Sequence, residues 1–312
     1  MQNLTELPFN STSPKTSVIV KVCVVIPFFC FFLSFIALML HTFASHRHFL
    51  DTSRYVLFAH MLINDTVQLM ISVPLFLCAI GRARFPRVLC VIILTLSTST
   101  FQNTNLILAA MSLERYVAIF YPLQPPAFWR SDRIWAINLC LWLFSFTFSV
   151  TEFCIRKQDP ALNILPTPVL CINTVINSSP VQAVFRAAMS VFFFSVVAVI
   201  ILFTYLRILL ETRKLRQDRA SVSKALHTVL LHGFQLLLCM LAFTHPFTET
   251  LFVLHTTWLT EDVAFFNYFC FILVPRFLSP LIYGFRDQSL RKHIGKTFIC
   301  GPKRRVKPRL RC

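Results

Sequence analysis

Seven stretches of this sequence carry little or no charge and are each long enough to cross a lipid bilayer: Val18 to Phe43, Tyr55 to Ile80, Cys90 to Leu113, Ile134 to Val150, Val181 to Leu206, Ala225 to His255 and Val263 to Phe285. A hydrocarbon layer about 30 Å thick needs roughly 20 apolar residues at 1.5 Å of rise per helical residue. Only helices and closed barrels satisfy their own backbone in lipid, and the runs lack the alternating pattern of barrel strands. The expected fold is therefore an all-α membrane protein, a bundle of seven transmembrane helices forming one domain over residues 1–312. The helices are expected at about 18–43, 54–80, 90–117, 133–152, 181–210, 224–256 and 263–285. Composition agrees: 56% of the 312 residues are hydrophobic and 14% charged, against about 25% charged in soluble domains.

Basic residues orient the bundle. Arg47 and Arg54, Arg130 and Arg133, the cluster from Arg207 to Lys224, and the tail from Arg291 to Arg311 all fall on one side. The positive-inside rule makes that side cytoplasmic, with the amino terminus outside the cell. The same rule accounts for the net charge of +17 without any nucleic-acid partner. Met1 to Ser17 is polar, lacks a basic n-region and runs into an apolar stretch too long for a signal peptide, so the first span is expected to insert by itself. Sequons at Asn3 and Asn10 lie in this segment and are the expected glycosylation sites. Asn177 heads a further sequon with Pro180 close behind, and the one at Asn64 falls inside the second span.

Most of the 11 cysteines lie in the spans and read as small apolar packers. Cys90 opens the third span on the outer side, and Cys154 and Cys171 lie in or beside the long outer loop, where an oxidising compartment permits a bridge. Cys90 with Cys171 is the expected disulfide, with Cys154 as competitor. The third span also carries a polar stripe, Thr95, Thr98, Ser99, Gln102 and Asn105, which suits a neighbouring helix or a cavity rather than lipid.

Several motifs now converge. Cys90 stands 25 residues before Arg115, "ERY" (Glu114, Arg115, Tyr116) closes the third span, Pro122 follows, Trp142 sits in the fourth, and "SPLIY" (Ser279 to Tyr283) ends the seventh. The chain resembles a rhodopsin-type, class A G-protein-coupled receptor over nearly its whole length. Within that family, "MSLERYVAIFYPL", "SKALHTVLLHGFQLLLCML" and "PRFLSPLIYGFRDQSLRK" look most like fish odorant receptors of the 131-2-like group.

The resemblance implies roles. Arg115 would be a switch that leaves its acidic neighbour Glu114 for a G protein, with Tyr116 beside it. Pro280 would loosen the seventh span so that Tyr283 can rotate inward toward Tyr205. The family binds sodium at the acidic residue of the second span. Here Asp65 holds that place and Arg276 lines the same pocket, so a buried Asp65 to Arg276 ion pair is expected to replace the ion, with Thr104 and Asn105 near it. Thr98, Phe101 and Gln102 of the third span, His245 and Glu249 of the sixth and Asn267 of the seventh would line a ligand pocket. An amphipathic helix at 286–298, a basic tail at 299–312 and palmitoylation of Cys300 are expected on the cytoplasmic side.

Some family marks are missing. The first span has no Asn in "FLSFIALML", the fifth has no Pro, and the sixth reads Phe243-Thr244-His245-Pro246 where the family has a tryptophan. The implied function is an odorant receptor of the plasma membrane, expected in sensory-neuron cilia, binding a small-molecule odorant and activating a heterotrimeric G protein of the olfactory stimulatory type. Membrane lipid is the surrounding partner, and no cofactor or metal is expected. A class A receptor for a non-odorant ligand is the alternative. With only five Gly and no inverted repeat, a transporter or channel fits poorly. Lacking a nucleophile-base or HExxH constellation, the chain does not read as an enzyme.

Overall fold

The computed structural model describes residues 14–121, 126–130, 132–157, 168–171, 180–214, 234, 237 and 260–286. The long helices are α1 (Pro14–Ser45), α2 (Ser53–Ile80), α3 (Arg87–Phe120), α4 (Ile134–Lys157) and α5 (Pro180–Lys214). The last span consists of α6 (Thr260–Asn267), a π turn (Tyr268–Leu273) and α7 (Val274–Arg286), which run on as one rod. The segments expected at 224–256 (apart from 234 and 237), 286–298 (apart from 286) and 299–312, and most of 1–17, lie outside the described residues, as do Asn3, Asn10, His245, Glu249 and Cys300.

Each helix outruns its apolar stretch by a few residues, because backbone hydrogen bonding continues into the polar boundary after the hydrophobic run has ended. Five described segments are by length and composition able to cross a membrane: Val18–Ser45, Ser53–Ile80, Ile134–Glu152, Val184–Glu211 and Phe265–Ile282. α3 is 34 residues long but more polar, and it packs against α2, α4 and α5. Its polar stripe is tolerable because it is largely enclosed by other helices.

The outside of the bundle is as apolar as its core. Val184, Val199, Trp135 and Leu202 are each 61–70% exposed, a surface no soluble domain could keep and one that lipid covers. Inside, the main core joins α1, α2, α3 and the last span through Phe32, Ile36, Leu57, Met61, Leu108, Met111 and Leu273. A smaller one, Ala109 with Phe193 and Val197, seats α5 on α3. Pro27, Pro74 and Pro280 lie within helices, where each removes one backbone donor and leaves a carbonyl to be satisfied by neighbours.

One feature departs from a purely helical fold. β1 (Arg84–Pro86) and β2 (Pro168–Leu170) form a two-stranded antiparallel ribbon, with Arg84 opposite Leu170 and Phe85 opposite Val169. The turn into β1 places Arg82 at a φ of 52°. The Cys90–Cys171 disulfide lies next to this ribbon and pins β2 to the start of α3. Cys154 is a free, exposed thiol.

Candidate functional site

Polar chemistry inside the bundle is laid out in three tiers between the disulfide end and the Glu114–Arg115 end. The middle tier is built where α2, α3 and the last span meet. Asp65 is 1% exposed and Arg276 4% exposed, with Arg276 Nε 3.4 Å from Asp65 Oδ1. The Thr104 hydroxyl donates to the same Oδ1 at 2.8 Å and accepts from Arg276 Nη2 at 3.4 Å. The guanidinium also lies over the Phe101 ring, 5.5 Å from its centroid, where ring quadrupole and charge attract.

Around this pair the helices are stitched by amides and hydroxyls. Asn64 Nδ2 donates to Thr104 Oγ1 (2.7 Å) and to the Thr100 carbonyl (2.9 Å), while Asn103 Nδ2 donates to Asn64 Oδ1 (2.9 Å). Gln68 meets Thr100 and, at 3.2 Å, Ser97. One turn further toward the disulfide, the Ser72 and Tyr268 hydroxyls are 3.1 Å apart, and Tyr268 stacks on Phe76. Asn105 turns elsewhere: its amide donates back to the Phe101 carbonyl at 3.0 Å. It takes no part in the ion pair, because its side chain is spent on its own helix.

At the disulfide end, Thr98 likewise donates back to the Leu94 carbonyl. Among the described residues, Gln102 Oε1 is buried without a hydrogen-bond partner, and so are both polar side-chain atoms of Asn267, a residue 1% exposed. Buried amides left open in this way call for water or a ligand. Two ion pairs at this end were not evident from the sequence. Lys21 of α1 meets Asp262 of α6 at 2.5 Å, and Arg186 of α5 grips Glu152 of α4 through Nε (2.8 Å) and Nη2 (2.5 Å). The only sequence signal was a lone cation within an apolar run, Lys21 or Arg186, with an acid just beyond the end of another, Asp262 or Glu152.

At the far end, Glu114 is buried and Arg115 is partly exposed, their Nε to Oε2 distance being 4.0 Å. Glu114 also accepts from Ser53 Oγ of α2 at 3.4 Å, so it is held from two helices. Both contacts are long, which makes the latch weak. Tyr116 packs on Phe120 and Phe203, Tyr205 borders the main core, and Pro280 is buried in α7. The Ser279 and Tyr283 side chains lie outside the described residues.

The sequence model described as 7 transmembrane receptor (rhodopsin family) matches residues 37–283. The chain belongs to that family. The receptor is 31% identical to Odorant receptor 131-2 of Danio rerio over 272 residues, 85% of this chain and 81% of the relative. It is also 26% identical to Olfactory receptor 52A1 of Homo sapiens over 62% of each chain, and 28% identical to Olfactory receptor 51I1 of Homo sapiens over 64% of each. The family is one of multi-pass signalling receptors rather than enzymes.

Trp142 has a partner that its motif did not disclose: its indole N–H donates to His60 Nε2 at 2.8 Å. Because that nitrogen accepts, the imidazole proton must sit on Nδ1. Trp142→Phe should lower stability by about 1 kcal/mol, the net worth of a typical hydrogen bond. His60→Phe should cost a similar amount, and the double variant no more than either single one. Thermal unfolding of the three receptors in detergent reads this coupling, and additive losses would show that the bond contributes nothing.

Proposed function

We propose that this receptor is of the odorant type. A small molecule arriving from outside the cell binds in the disulfide-end half of the bundle. Its binding shifts the bundle toward a state whose Glu114–Arg115 end admits a heterotrimeric G protein of the olfactory stimulatory type. The observation that carries this reading is the 31% identity to Odorant receptor 131-2 across 85% of the chain. The proposed setting is the plasma membrane of sensory-neuron cilia, with the amino terminus outside and glycosylated at Asn3 and Asn10. Cys300 would carry a lipid beside the amphipathic helix at 286–298.

The tiers suit the two ends to different work. Thr98, Phe101, Gln102, His245, Glu249 and Asn267 are assigned to ligand contact, and the open amides of Gln102 and Asn267 favour a ligand that both donates and accepts hydrogen bonds. Phe101 belongs to both ligand and ion-pair tiers, since its ring covers Arg276. Glu114, Arg115, Tyr116, Tyr205, Pro280 and Tyr283 are assigned to the switch. A weak Glu114 latch matters here: a ligand shifts a two-state equilibrium only by its differential affinity for the states, commonly about 1–3 kcal/mol of coupling. A resting lock much stronger than that could not be opened by it. With Arg276 in the place the family gives to sodium, ligand response should be indifferent to sodium.

The test is expression in cyclic-AMP reporter cells screened against water-soluble and volatile odorants, with Arg115→Ala as the control. At least one odorant should raise cyclic AMP in a dose-dependent way, and Arg115→Ala at equal surface level should be silent. A receptor that reaches the surface normally yet answers no odorant would overturn the odorant assignment.

A further inference from the structure

The π turn of the last span sits between two contacts whose spacings do not match. On α2, Asp65 and Ser72 are seven residues apart, within about 20° of two full turns at 3.6 residues per turn, so they face the same way. Their partners on the last span, Arg276 and Tyr268, are eight residues apart. In a regular α-helix eight residues overshoot two turns by about 80°. Arg276 would then point away from Asp65 whenever Tyr268 faced Ser72. One residue is surplus.

The turn at Tyr268–Leu273 lies between the two contacts and absorbs that residue: the Val274 N–H reaches back five positions to the Phe269 carbonyl instead of four. Pro275 follows at once. It has no N–H to offer the Phe271 carbonyl, and its ring crowds that same carbonyl, so the tight α ladder cannot run through this point unbroken. The surplus is thus lodged where the backbone is already short of a donor. Wide turns of this kind are rare and recur at functional positions.

We propose that the Tyr268–Leu273 turn is a one-residue joint in the last span. It sets the phase that lets Ser72–Tyr268 and Asp65–Arg276 form together. When it tightens or migrates, α7 rotates against α6 and Arg276 swings off Asp65. The joint begins immediately after Asn267, whose amide is buried and open among the described residues, and ends three positions before Arg276. Movement at one polar tier is thereby tied to movement at the next. This inference rests on contacts within the helices and on no ligand.

Deletion of Cys270 tests it directly. Removing the surplus residue should let the wide turn close to α spacing, apart from the one bond that Pro275 cannot make, with the two partners seven positions apart and both contacts kept. The deletion variant should reach the cell surface within about twofold of wild type, and amides of 268–276 in the purified protein should exchange at least about tenfold more slowly, because a segment relieved of its wide turn opens locally less readily. Inserting one alanine after Cys270 adds a second surplus residue and should cut surface expression by at least about fivefold, since Arg276 then misses Asp65. Pro275→Ala, which restores the missing donor without altering length, should also slow exchange. The joint is refuted if deletion is as damaging as insertion, or if neither the deletion nor Pro275→Ala changes exchange. Neither readout uses an odorant or a G protein, so failure here leaves the odorant reading standing, and an empty odorant screen leaves the joint standing.

Discussion

Arg276→Leu should lower the stability of the receptor by about 3–5 kcal/mol and remove most of it from the cell surface, because the Asp65 carboxylate is left buried without a counter-charge. The Asp65 side chain is 1% exposed and that of Arg276 5%. Asp65→Leu should do comparable damage by stranding the guanidinium, which among the described residues then keeps only Thr104 and the face of Phe101. The double leucine variant should regain much of the lost surface level, since two apolar groups in place of a buried pair are often neutral or stabilising. It should nonetheless fail to signal if the pair is part of the switch. Surface labelling and thermal unfolding of the four receptors give the coupling energy. Purely additive losses would mean that the two charges are neighbours without being partners.

The second large effect is expected at the disulfide. Cys171→Ser should cost about 2–5 kcal/mol, because the bridge closes a loop of 81 residues between Cys90 and Cys171 and holds the β1–β2 ribbon at the mouth of the bundle. Cys90→Ser should be equally harmful and the double variant no worse, as both singles break one bond. Cys154→Ser should fall within about 0.5 kcal/mol of wild type, as substitutions at exposed positions usually do. Surface expression and detergent unfolding temperatures rank the four. If Cys154→Ser matched Cys171→Ser, the bridge would have to be reassigned.

How far the sequence could be read depended on whether a residue's demand was met on its own helix or across the bundle. Span positions were legible because lipid punishes an unsatisfied backbone, so apolar run length and helix length track one another; α2 at Ser53–Ile80 differs from its run by two residues at one end. Asp65 and Arg276 stood out for a related reason, as charges where charge is expensive. Periodicity, however, marks only which side of a helix faces inward. It does not say which atom on another helix will be met there, so Ser53 against Glu114, His60 against Trp142 and Lys21 against Asp262 could be found only in three dimensions. The π turn escaped for a different reason: a single surplus residue leaves an apolar run looking regular, and Pro275 alone hinted at it.

The seam between the first and last spans has a bearing on how molecules reach the interior. Lys21 and Asp262 clasp it near the disulfide end. Deeper down, Phe28 packs on Phe269 and Phe277, and Phe31 and Phe32 also touch Phe277. Charge at the rim and rings below close this seam along the described residues. Among the described residues this seam leaves no gap between its rings, so a ligand of the proposed kind would have to enter the bundle by another side.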